Sequence, residues 1–156
     1  MKLEICPIPS SLWGKSLAHV LSIEVWDALR KDVYKQDDYM CTACHRKELV
    51  LHAHECWVYD GRRKIQTLKE VVSLCEDCHS IIHWLRTLKQ IKDKARLEYL
   101  IKHFCITNNC KVGVFNTQFR RAIVNSAKRK VGTWKVDWGI YNPMRLIHIY
   151  ERLNRK

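Results

Sequence analysis

Apolar side chains recur at helical spacing in several stretches of this 156-residue chain, with short β-favouring runs between them. Ile23, Trp26, Leu29, Val33 and Tyr34 predict a helix opened by Ser22, whose hydroxyl can cap the first turn. Glu48 to Trp57 is rich in β-formers and predicts a strand, turning at Asp60-Gly61. Val71 to Leu74 predicts a second strand or loop. From Glu76 onward the chain should be helical. Leu88, Ile91, Leu97, Leu100 and Ile101 give one or two helices between Leu85 and Phe104, broken at Asn108-Asn109 and Gly113. Phe119, Ile123 and Ala127 suggest a basic helix from Phe115 to Lys130. Gly132 and Gly139 to Pro143 mark turns before a short last helix from Met144 to Leu153. Residues 1–20 read as irregular, with Pro7, Pro9 and Gly14 as breakers.

Charge sharpens this outline. The net charge is +12 and uneven: residues 1–84 hold 11 Lys+Arg against 12 Asp+Glu, and residues 85–156 hold 17 against 4. A block of excess positive charge suits a polyanion, and nucleic acid is the usual one; a solvated helix face is the plainer alternative. No apolar run approaches the roughly 18 residues a membrane helix requires, so no membrane partner is expected. Met1 to Ser10 carries Glu4 and two prolines instead of a secretory apolar stretch. The expected location is therefore intracellular and cytoplasmic.

In a reducing compartment, paired cysteines favour metal over disulfides. Of eight cysteines, Cys41 and Cys44 form one C-x-x-C turn and Cys75 and Cys78 another, with 30 residues between the turns. Two such turns offer four thiolates to a structural Zn2+ with no open position. Cys56 reads as a small core residue, while Cys6, Cys105 and Cys110 read as buried or free thiols. His79 and His83 share one helix face at i, i+4. His52 and His54 share one strand face, with Glu55 pointing the other way. A strand histidine facing two helix histidines would make a second, open metal site for Mg2+, Mn2+, Ni2+ or Zn2+. Padding of the zinc helix is the alternative role for the helix pair.

The stretch from Cys41 to His83 resembles the four-cysteine zinc branch of the HNH endonucleases, with their ββα-metal fold. The pieces that carry the likeness are Cys-Thr-Ala-Cys, Leu51-His-Ala-His-Glu55 and Leu74-Cys-Glu-Asp-Cys-His-Ser-Ile-Ile-His83. The run His54-Glu55-Cys56-Trp57-Val58-Tyr59-Asp60 is similar to a stretch in small phage and bacterial HNH proteins, as are Trp26-Asp27-x-Leu-Arg and Tyr34-Lys. The likeness covers under a third of the chain. It implies that His54, His79 and His83 hold a second metal and that Glu55 stands where the family has its general-base histidine, with His52 as a rival. Glu70 stands where the family usually has asparagine. The implied activity is metal-dependent hydrolysis of DNA phosphodiesters. Two departures, Glu55 and Glu70, keep open an inactive DNA-binding protein. A phage-type protein that binds and redirects a host nucleic-acid enzyme, acting in the host cytoplasm, is a third reading.

Candidate nucleic-acid contacts are Arg62, Arg63 and Lys64 after the hairpin turn, and Arg120, Arg121, Lys128, Arg129 and Lys130 on the basic helix. Trp57, Trp84, Trp134 and Trp138 read as core. The expected architecture is α+β: an N-terminal extension and helix (1–38), a zinc-stapled ββα core (39–88) and a basic helical region packed on it (89–156).

Overall fold

The computed structural model describes residues 1–47 and 50–154. Glu48 and Leu49, where the first strand was expected to begin, lie outside the described residues. A helical turn (α1, Leu17–Val20) leads into α2 (Ile23–Gln36). Strands β1 (His52–Asp60) and β2 (Ile65–Leu74) follow, then α3 (Glu76–Ile82), α4 (Trp84–Gln90), α5 (Lys94–Thr107) and α6 (Val112–Lys130). A short β3 (Lys135–Asp137) and α7 (Pro143–Asn154) end the described chain. The protein is α+β, and none of its described helices is long and apolar enough to cross a membrane.

The three strands form one sheet in the order β1-β2-β3. β1 and β2 pair antiparallel, with His52 opposite Leu74 and His54 opposite Val72. The register slips between Cys56 and Trp57, a bulge that bends the strand. β3 joins β2 in parallel, Ile65 opposite Lys135. No strand was expected between the turns at Gly132 and Gly139; its partner lies far away in sequence and no local pattern announces it. Gly139 closes the segment after β3 with φ +54, and an added Cβ would meet the Leu68 carbonyl oxygen at 3.0 Å. A side chain there is strained in its backbone and crowded against that oxygen, which favours glycine.

Alternation along the strands splits the core in two. Val72 and Leu74 face a cluster with Cys75, Cys78, Ile81, Trp84, Leu100, Phe104 and Phe115, joined by Leu3 and Ile5 from the first residues of the chain. Leu68 and Val71 face Leu17, Leu21, Val25 and Val33, with Trp57, Trp138 and the α7 residues Leu146 and Ile147 alongside. Leu3 and Leu17 are fully buried, so the first twenty residues contribute to both clusters; they were expected to be irregular throughout, but Leu17–Val20 forms the helical turn α1.

Ser22 caps α2, accepting from the Val25 N–H at 3.4 Å. Ile23, expected on the buried stripe, is 77% exposed, and Val25 takes that place. In α6 the expected stripe drifts: spacing of four advances about 40° per step around the helix. Phe119 is half-buried, Ile123 is 50% exposed and Ala127 is exposed, whereas Phe115 and Ala122 are buried. Gly113, expected to break the chain, sits in the first turn of α6, where the N–H groups have no helical partner in any case. Trp84 and Trp134 are buried and Trp57 and Trp138 half-buried, as expected of core tryptophans.

Candidate metal centres

Cys41, Cys44, Cys75 and Cys78 converge, their sulfurs all within 4.8 Å of one another. The first pair sits in a loop held to the end of β2: the Thr42 N–H donates to the Ser73 carbonyl at 2.9 Å, and the Asp37 carboxylate accepts from the Ser73 N–H at 2.8 Å. Cys75 caps α3, with Glu76 and Asp77 in the first turn, where acidic residues suit the helix dipole. The donor set suits a soft ion in tetrahedral array, and the surroundings fit thiolates. Arg46 donates to the Cys75 sulfur at 3.5 Å and to Asp77 at 2.5 Å. Asp77 also accepts from Arg96 at 2.6 Å and from Tyr99 at 3.0 Å. The buried His103 places Nε2 3.2 Å from the Cys78 sulfur. Hydrogen bonds from Cys41 and Cys78 hold the Cys75 thiol well below its ordinary range. The four cysteines can therefore hold a structural metal such as zinc.

Arg46 and His103 carried no signal in the sequence. His45, next to the first cysteine pair, is exposed with φ +60. His103 reaches Cys78 from α5 across 25 residues, which no local spacing predicts.

Further along α3, the imidazole nitrogens of His79 and His83 lie within 4.8 Å of one another and of those of His54. His79 is on α3. His83 ends it, at φ −91 and ψ 31, where the chain turns into α4. His54 comes from β1, its ring 5.5 Å from that of His79 and 5.0 Å from that of His83. His52 faces the same way, stacked on His79 at 4.9 Å and 1° between planes. Burial pushes His54 down to about 4, His79 to about 3 and His83 to about 2, the nearby charge of Arg86 adding to each shift. All three rings are thus neutral near pH 7, with lone pairs free for a metal. His54 is buried while His79 and His83 are half-buried, so three donors leave a side open.

Glu55 points to the opposite face of β1, as alternation requires. Its carboxylate accepts from the Leu17 N–H at 2.6 Å. Burial pushes it up to about 7, against the pull of the hydrogen bonds from Leu17 and Trp57. It nevertheless lines, with His54 and His83, one cavity of about 160 Å³ walled by the N-terminal segment and Tyr59. Glu70 is exposed and lies across the strands from Cys56.

The basic candidates separate. Arg62 and Arg63 are exposed on the hairpin turn, where Asp60 accepts from both their N–H groups at 2.9 and 2.8 Å. That turn is at the far end of β1 from His54, about 20 Å along the strand. It therefore cannot hold a phosphate at the histidine cluster. Lys64 lies over the Trp134 ring at 5.3 Å. Arg129 is not free for nucleic acid: its guanidinium lies 3.4 Å from the Tyr59 ring centroid and donates to the Pro7 carbonyl. Arg120, Arg121 and Lys128 remain exposed on α6, away from its buried stripe, and Lys130 is exposed at its end.

Comparison with protein-family models, curated proteins and solved structures finds no match.

Proposed function

We propose that this protein is a metal-dependent endonuclease of the HNH type, hydrolysing DNA phosphodiesters beside a structural zinc site. The observation that carries the reading is the convergence of His54 from a strand with His79 and His83 from the helix that begins at the second cysteine pair. Neutral imidazoles with an open side are a catalytic type of donor set, and four cysteines are a structural one. When bound at the histidines, a divalent ion supplies charge stabilisation on the phosphate and the leaving oxygen. Glu55, whose carboxyl lies near neutrality, takes a proton from water in the cavity it shares with His54 and His83. Arg120, Arg121 and Lys128 bind backbone phosphates.

The test is plasmid cleavage with Mg2+, Mn2+, Ni2+ or no metal, run beside His83→Ala. Metal-dependent nicking that rises as pH passes about 7, and is lost in the variant, is the expected result. A second reading rests on the Glu55 contact with Leu17, which turns that carboxylate away from the histidines. On it the protein binds DNA without cutting it. DNA shifted in a gel, salt-dependently, but left intact with every metal would establish that reading.

A further inference from the structure

Cys105 and Cys110 belong to neither metal centre, yet the backbone holds them together. α5 ends in a Schellman turn. Asn109 takes the left-handed position at φ +48, its N–H donates to the Ile106 carbonyl at 3.1 Å, and the Cys110 N–H donates to the Cys105 carbonyl at 2.9 Å. This motif commonly packs the side chains of its first and last residues against each other, ordinarily as an apolar pair. Here both are thiols, both free and half-buried, and both lean on the same core cluster. Burial and the Cys110 thiol alongside push the Cys105 thiol up. The turn is also held from outside α5: the Asn108 side chain accepts from the Leu3 N–H at 2.9 Å and donates to the Leu3 carbonyl at 3.0 Å. Cys105 lines an apolar cleft of about 620 Å³ with Ile101, Ile106 and Val112, so a small molecule can reach its sulfur.

We propose that Cys105 and Cys110 form a dithiol site that closes to a disulfide by exchange with a small-molecule disulfide such as oxidised glutathione. The Cys105 thiolate, on the cleft, attacks one sulfur of the small disulfide and releases its other half as a thiol. The Cys110 thiolate then attacks the Cys105 sulfur and releases the second half. The small disulfide gains two electrons, the two cysteines lose them, and the two cysteine protons leave with the released thiols. The second step is favoured because the turn already holds the attacking sulfur beside its target. In a reducing compartment such a bond is transient and reports oxidation instead of stapling the fold. The site is independent of the endonuclease reading.

The test uses the full chain with Zn2+ present, equilibrated in glutathione buffers from fully reduced to fully oxidised. Free thiols are then alkylated, and the protein is cut with trypsin and read by mass spectrometry. Lys102 and Lys111 flank the pair, so both cysteines fall on one tryptic peptide, residues 103–111. In reduced glutathione that peptide should carry two alkyl groups. In oxidised glutathione most of it should carry none and be lighter than the unmodified dithiol by two hydrogen atoms. Cys110→Ser should lose this species and retain glutathione on Cys105, because no second thiol resolves the mixed disulfide. Cys105→Ser should lose it as well. A wild-type peptide whose two sulfurs are alkylated, glutathionylated or linked to another peptide at every glutathione ratio would overturn the site. The same unalkylated, lighter peptide returning to two alkyl groups when reduced glutathione is restored would establish it as reversible.

Discussion

The two clusters share one helix, α3, and differ in their surroundings. The cysteines have a finished shell: Arg46 and His103 touch the sulfurs, Asp77 holds Arg46, and Arg96 and Tyr99 donate to Asp77 in turn. Cys41, Cys75 and Cys78 are buried. The histidines have no carboxylate behind them among the described contacts, only the stacked ring of His52 and the charge of Arg86. A site built to hold structure is enclosed by hydrogen bonds. A site built to receive something keeps a side open.

The largest break in this contrast should come from Cys78→Ala. It removes a sulfur and leaves His103 unpartnered. A structural zinc site is worth about 10 kcal/mol, comparable to the whole stability of a domain. The variant should lose one metal equivalent and its cooperative thermal transition, read by metal analysis and circular dichroism. His83→Ala should instead cost about 100-fold or more in Ni2+ affinity by calorimetry while leaving the thermal transition cooperative.

Next in size is Asp77→Asn, which strips the charge partner from Arg46 and Arg96. A loss of about 2 kcal/mol is expected in denaturant unfolding, with no effect on Ni2+ at the histidines.

The histidines should also set an acid limit. In the metal-free folded state they stay neutral down to about 2 to 4, whereas an unfolded imidazole protonates near 6.5. The unfolded chain then binds more protons, so stability should fall as pH drops below about 6.5. A variant with all three replaced by glutamine should show a shallower decline in unfolding midpoint. Smallest of all, His52→Ala should change stability by under about 1 kcal/mol and Ni2+ affinity by under about tenfold, because its ring packs on His79 and lies outside the group of three converging histidines.

What the sequence made legible was local. The C-x-x-C turns and the i, i+4 histidines declare themselves because their geometry is fixed within a turn of chain. The alternation of His52, His54 and Glu55 placed them on the correct strand faces. What stayed hidden was non-local. Leu3 gains its meaning only under the Asn108 side chain, which accepts from its N–H at 2.9 Å. Arg129 looked like a DNA contact, but Tyr59 claims it across a gap of 70 positions. Chain proximity carries no information about such meetings, which depend on how the helices stack over the sheet.

The start of α3 at Cys75 has a mechanical consequence. His83 lies only five positions beyond Cys78, a lever of about 7 Å at helical rise. A tilt of about 5° at the cysteines would displace His83 by roughly 0.6 Å, close to the tolerance of about 0.5 Å within which a reactive arrangement functions. A longer arm would amplify the same wobble beyond that margin. Rigidity at one end of this short helix is thus converted into aim at the other, and any loosening of the cysteine end should appear first as blurred alignment of the histidines.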